Sequence, residues 1–180
     1  MKLTETTRKE QYIYKGRIIN LRNDEVELPN GKTAYREVIE HPGGVCVLPL
    51  TAENEILFVR QFRYPYKEEL LEIPAGKRDH GAENPLECGK RELQEETGAT
   101  AANFRSLGEL YPSPGYVGEV IYMFLATDLT YGETNPDEDE FLNIERIPFD
   151  KALKMVMDGE IKDAKTQTAI LKTAVLLGKI

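Results

Sequence analysis

The sequence predicts an α+β protein with α/β/α layering, preceded by a small antiparallel β subdomain. Three observations carry this. One amphipathic helix falls mid-chain, with strand-like segments before and after it. Two further helical segments close the chain from Phe149 onward. The first forty residues read as strand, strand, turn, strand, with no helical period.

Composition narrows the class. The chain has 180 residues, 41% hydrophobic and 30% charged, enough for one domain with a real core or one domain plus a small appendage. No apolar run approaches the ~20 residues of a membrane span, and the N-terminus has no apolar signal-peptide region. A net charge of −8 argues against non-specific nucleic-acid binding, which rests on Lys and Arg. It does not exclude a phosphate ligand, because local charge and bound metal decide that. Cys46 and Cys88 lack metal-site spacing and read as small packing residues of a cytoplasmic protein. His41 and His80 lie far apart beside turn residues, and neither reads as a ligand.

The segments follow in order. Residues 1–9 are polar and expected to be loose. Strands are expected at 11–20, 24–28 and 33–40, with Asn30-Gly31 supplying the positive φ of a hairpin turn. His41-Pro42-Gly43-Gly44 breaks the pattern, which places a boundary between an N-terminal β subdomain, 1–42, and a main domain, 43–180. Val45–Leu50 is a continuous apolar run and reads as a buried strand. Further strands are expected at 56–62, 70–73, 104–110, 119–126 and 141–147. A polar loop is expected at 128–139, and helices at 149–158 and 163–177.

The central helix organises the rest. Asn84 is its N-cap, Pro85 its first residue and Glu87 the partner in a capping box. Gly98 is a suitable C′ residue. Leu86, Leu93 and Thr97 recur at helical spacing and should face the core. Glu92 and Glu96, four apart, lie one above the other on one face, with Glu95 beside them. Like charges so placed cost a few tenths of a kcal/mol on a bare helix. A hard divalent cation reverses that sign, since Mg²⁺ binds through one or two carboxylates plus substrate phosphates. A lone Glu pair is more often a solvated acidic face. The glycine-rich loop before the helix and Arg91 within it favour the metal reading.

Gly76 to Ala99 resembles the Nudix box, GX5EX7REUXEEXGU, where U is aliphatic. Arg91 to Ala99 fits the second half, and Glu83 stands at the right distance before Arg91. Six residues rather than five separate Gly76 from Glu83, an insertion placed in a loop. The resemblance implies a Nudix fold, a mixed β-sheet sandwiched between helices. It also implies a metal site of Glu92, Glu96 and the main-chain carbonyl of Ala75, with Mg²⁺ as cofactor and Mn²⁺ as the alternative. Glu95 would be a further ligand or support the ligands, and Arg91 would orient the helix carboxylates.

The flanks resemble one branch of that family, the ADP-ribose pyrophosphatases and related nucleotide-sugar hydrolases. Arg60-Gln61-Phe62-Arg63 is similar to a strand ending in a substrate-binding arginine, here Arg63. Pro114 stands fifteen residues past Ala99, a spacing associated with ADP-ribose hydrolysis, and Glu119 follows at the position of a substrate contact. Asp137-Glu138-Asp139-Glu140 resembles the loop that supplies a catalytic glutamate. Glu138 is assigned as general base and Glu140 as an extra metal ligand, with exchange of the two roles left open. The N-terminal strands match a sheet exchanged between two subunits, which implies a homodimer in which Arg36 reaches the partner's substrate. Tyr12, Tyr14, Ile18 and Tyr35 are the candidates for gripping the base.

The resemblance therefore implies Mg²⁺-dependent cleavage of the diphosphate of ADP-ribose to AMP and ribose 5-phosphate. GDP-mannose or another nucleotide sugar is the alternative substrate. A non-catalytic nucleotide-sugar sensor is the alternative of a different class. Such sensors usually lose box glutamates and add a DNA-binding domain, whereas Glu92, Glu95 and Glu96 are all present and no length remains for a winged helix. No membrane or nucleic-acid partner is expected.

Overall fold

Asn30 and Gly31 set the hairpin turn expected of them. Gly31 takes φ +78°, and its N–H donates to Leu28 O at 2.9 Å. The turn joins β3 (Asn20–Glu27) to β4 (Thr33–Glu40), antiparallel from Asn20↔Glu40 to Glu27↔Thr33. β1 (Thr6–Lys9) pairs with the C-terminal end of β3, and β2 (Tyr12–Lys15) with its N-terminal end. Residues 6–9 are thus a strand rather than the loose segment their polarity suggested. Backbone pairing with β3 orders them although all four are exposed. The computed structural model describes residues 3–78, 83–135 and 140–180. The chain divides into two units, Met1–Gly43 with Tyr111–Val120, and Gly44–Leu110 with Ile121–Ile180. In the first unit, Ile39 N donates to Tyr116 O at 2.8 Å and Gly118 N to Ile39 O at 2.9 Å.

The second unit begins with β5 (Gly44–Pro49), β6 (Glu55–Arg63), β7 (Glu68–Glu72) and β8 (Ala75–Lys77). Helix α1 (Pro85–Thr97) follows, then β9 (Ala99–Leu110), β10 (Ile121–Tyr131), β11 (Leu142–Pro148), α2 (Phe149–Met157) and α3 (Ala164–Leu176). A mixed four-stranded sheet has the order β8-β5-β10-β9, with β5 and β10 parallel. An antiparallel three-stranded sheet has the order β11-β6-β7. Strand alternation splits the core. Cys46, Leu48, Ile56 and Phe58 point to one side, packed with Phe149 and Ile170 of α2 and α3. Val47 and Leu57 point to the other, packed with Leu93 of α1. Sheets between helices are the layering the sequence predicts.

Several boundaries differ from expectation: the strand expected at 11–20 ends at Lys15, and β3 begins at Asn20 and runs through the expected gap before Asp24. β9 starts at Ala99, not near 104, and β10 runs on to Tyr131 into the expected loop. Asp128 adopts φ +57° and is passed over in the ladder, which resumes at Leu129↔Ala101. The polar residues stay in the strand because the neighbouring backbone bonds hold, and Asn103 pairs with Asp128 across it. Among the described residues, no helix is long and apolar enough to cross a membrane.

Candidate active site

Helix α1 is built as its caps dictate. Asn84 Oδ1 accepts from Leu86 N at 2.9 Å and Glu87 N at 3.4 Å. Glu87 itself turns to Lys90 Nζ at 2.8 Å. Gly98 closes the helix at φ +68°, donating to Gln94 O at 2.8 Å. The buried face holds Cys88, Gly89, Glu92, Leu93, Glu96 and Thr97, while Leu86 is half-buried. A Cβ on Gly89 would lie 3.1 Å from methyls of Val45 and Val47, so the glycine lets α1 rest closely on β5.

That approach sets two carboxylates beside a strand end. Glu92 is 7% exposed and Glu96 is 4% exposed. Glu96 Oε2 accepts from Ala75 N at 3.1 Å. A Cβ on Gly76 would lie 2.0 Å from Glu92 Cδ, so a larger residue there would displace the Glu92 carboxylate. Pro74 O accepts from Val47 N at 2.9 Å and anchors this segment to β5. Burial pushes the Glu92 carboxyl up to about 7, opposed by Arg91 and aided by Glu95 and Glu140. Burial also pushes Glu96 up to about 8, opposed by the Ala75 N–H and aided by Glu140 and Glu92. Two buried carboxylates with raised affinity for protons lack sufficient counter-charge.

Arg91 supplies some of that charge from the rim. Its Nη1 lies 2.8 Å from Glu92 Oε1 and 2.8 Å from Glu95 Oε2. Its Nη2 and Nε reach Glu83 at 3.2 and 3.3 Å. One guanidinium therefore bridges three box glutamates. Arg78 donates to Glu83 O at 3.0 and 2.8 Å, so Glu83 is held in place despite the extra residue in the preceding loop.

The remaining assigned residues fall in several places. Glu140 lies close enough to Glu92 and Glu96 to disfavour their ionised forms, and it lines a cleft of about 470 Å³ with Arg60, Phe62 and Phe141. Glu138 lies outside the described residues. Arg63 makes a two-pronged pair with Glu72, Nε to Oε1 at 2.6 Å and Nη2 to Oε2 at 2.7 Å. Burial alone would raise Glu72, yet Arg63 and Lys165 hold it below the usual carboxylate range. In the first unit, Arg36 forks onto Glu5 at 2.9 and 2.6 Å, and Glu119 lies 3.4 Å from His41 Nδ1. Pro114 sits in the segment before the Ile39 contacts. The structure thus gathers Ala75, Arg91, Glu92, Glu95, Glu96 and Glu140 in one unit with Arg63, and Arg36, Pro114 and Glu119 in the other. Sequence reasoning did not single out Glu72, Lys165 or Glu5. Charged residues seldom go inside, so the burial of Glu72, 2% exposed, leaves no signal in the sequence.

The donor set fits a hard divalent cation. Carboxylate and carbonyl oxygens suit Mg²⁺ or Mn²⁺. Among the described residues, no three His, Cys, Asp or Glu side chains form a ready-made metal cluster.

A NUDIX domain model matches residues 40–167. The chain belongs to the Nudix family. A second model, the nucleoside diphosphate sugar hydrolase N-terminal domain, matches residues 5–39 of this Nudix protein. An ADP-ribose pyrophosphatase of Bacillus subtilis (strain 168) is 44% identical over 93% of the chain and 91% of the relative. A methanol dehydrogenase activator of Bacillus methanolicus is 40% identical over 92% of the chain and 90% of the relative. In fold, the chain is similar to the crystal structure of an ADP compounds hydrolase, with TM-score 0.86 and 22% identity. That likeness covers 99% of this chain and 97% of the other.

Proposed function

We propose that this Nudix pyrophosphohydrolase cleaves the diphosphate of ADP-ribose, releasing AMP and ribose 5-phosphate, with Mg²⁺ as cofactor. The observation that carries the chemistry is the buried pair Glu92 and Glu96, packed against Ala75 and Gly76 with raised affinity for positive charge. The substrate class is supported by the 44% identical ADP-ribose pyrophosphatase.

In this reading Glu92, Glu96 and the Ala75 carbonyl hold the ion, and Glu140 adds a ligand. When bound, the cation neutralises the diphosphate and polarises it toward attack by water. Arg91 keeps Glu92 and Glu95 aimed, and its pairs with both are 2.8 Å. Glu138 takes the proton of the attacking water, a task for a carboxylate not committed to metal. Arg63 presents a guanidinium to substrate phosphate from the end of β6, and Pro114 stiffens the loop before Glu119. Arg36 and Glu119 serve substrate binding, Arg36 from the partner subunit of a homodimer built on the N-terminal strands. Buried free thiols at Cys46 and Cys88 accord with a cytoplasmic setting.

The test is a hydrolysis panel with Mg²⁺: ADP-ribose, GDP-mannose, FAD, NADH and diadenosine polyphosphates. AMP release from ADP-ribose far above the others is the expected result. A higher kcat/KM for GDP-mannose would move the assignment to that nucleotide sugar.

A further inference from the structure

The first turn of α3 is charged where a helix end meets the core. The Lys165 side chain is 11% exposed and Thr166 is fully buried. A buried ammonium is costly unless it is paired and hydrogen-bonded. Lys165 has two partners: Asp163 Oδ1 at 3.0 Å and Glu72 Oε2. Asp163 also caps the helix, accepting from Thr166 N at 2.9 Å. Thr166 Oγ1 accepts in turn from Ile73 N at 3.0 Å. The turn therefore grips two successive residues, Glu72 and Ile73. Directly beyond them, Ala75 and Gly76 meet Glu96 and Glu92.

Glu72 links this grip to Arg63. Its Oε2 is shared between Lys165 Nζ and Arg63 Nη2, and its Oε1 takes Arg63 Nε. The Arg63 side chain is 39% exposed and the Glu72 side chain 2%. Lys165 thus neutralises the carboxylate at its buried end, while the two-pronged pair aims the guanidinium from its exposed end. Arg63 Nη1 is the nitrogen not committed to Glu72.

We propose that Lys165 is a positioning residue for diphosphate hydrolysis, fixing the Arg63 guanidinium through Glu72. The inference rests on the nucleotide-diphosphate reading above. Lys165 touches no substrate in it, and a purely structural role predicts a change in Tm alone.

The experiment compares wild type, K165M, K165R, R63A and R63A/K165M in steady-state assays with ADP-ribose and Mg²⁺. K165M keeps the chain length and removes the charge. It is expected to raise KM about tenfold or more, with kcat much less affected, as losses behind a binding group usually run. K165R restores part of the loss. The double variant is no worse than R63A, because both changes remove one function. Wild-type KM and kcat in a folded K165M would overturn the proposal even with a lowered Tm, as would losses that multiply in the double variant. If K165M does not fold, E72Q/K165M removes both charges together and is expected to show the same rise in KM; a wild-type KM there overturns the proposal. If wild type leaves ADP-ribose intact, the substrate reading fails instead, and the same comparison is made on the nucleotide sugar that the panel shows to be cleaved.

Discussion

Glu96 is a carboxylate packed where little water reaches it, and its protonation reports the charge around it. Its ordinary value of 4.5 is raised to about 8 by burial, and that of Glu92 to about 7. A raised carboxyl means the folded protein binds more protons than the unfolded chain between those values. The resulting stability is fully present below the unfolded value and is lost as pH rises through 7 and 8. Glu72 and Glu40 are shifted the other way, so their contribution is lost only on acidification. In EDTA, Tm is therefore expected to fall as pH rises from about 5.5 to 8.5. Added Mg²⁺ should offset that fall, most strongly at high pH, since cation and protons compete for the same oxygens. A Tm in EDTA that climbs across this range would contradict the assignment. Glu96→Gln should flatten the slope and lower kcat by about 100-fold or more at saturating Mg²⁺, while circular dichroism stays native. These carboxylates were legible in the sequence because i, i+4 spacing fixes a shared helix face. The Glu72, Arg63 and Lys165 triad was not legible, because it joins β6, β7 and α3 across 93 residues of sequence between Glu72 and Lys165.

Helix α1 works as a rigid bracket, and its ends show why so much of it could be read in advance. Caps are local: Asn84, Pro85 and Gly98 each act within four residues of themselves, so short-range chemistry sets both boundaries. The β9 and β10 boundaries are not local. They depend on which strand lies alongside, and Asp128 stays inside a strand through pairing with residues near 101–103. Gly98 gives the sharpest test at this scale. It sits at φ +68°, and an added Cβ would lie 2.5 Å from Gly132 O. Gly98→Ala meets both the left-handed penalty, about 1–2 kcal/mol, and a clash with backbone that cannot rotate away. Thermal or urea unfolding should show a loss of about 2 kcal/mol or more. Stability equal to wild type would mean that the C-cap and the strand end near 132 are not held together as described. Gly76→Ala should leave the fold closer to wild type and lower activity, because the added methyl displaces the Glu92 carboxylate.

At the scale of the whole molecule, the first unit exposes several large apolar side chains. Ile13, Tyr14, Ile18 and Tyr35 are 55%, 58%, 58% and 64% exposed. The homodimer proposed above names a second copy of the chain as the cover for such side chains. The same unit carries Arg36 and Glu119, both proposed to bind substrate. Removing it should therefore remove more than stability. Residues 111–120 are bonded to Ile39 by the Tyr116 and Gly118 contacts, so a chain lacking residues 1–40 loses the strand that holds the Pro114 loop. The second unit keeps Glu92, Glu96, Ala75 and its own core, and should retain secondary structure. The full chain is expected to sediment at twice its 20.4 kDa mass. The chain lacking residues 1–40 should sediment as a monomer or aggregate, with almost no hydrolysis of ADP-ribose at any Mg²⁺ concentration. A truncated monomer with full activity would remove Arg36 and the partner subunit from the site. A full-length monomer with full activity would overturn the homodimer reading.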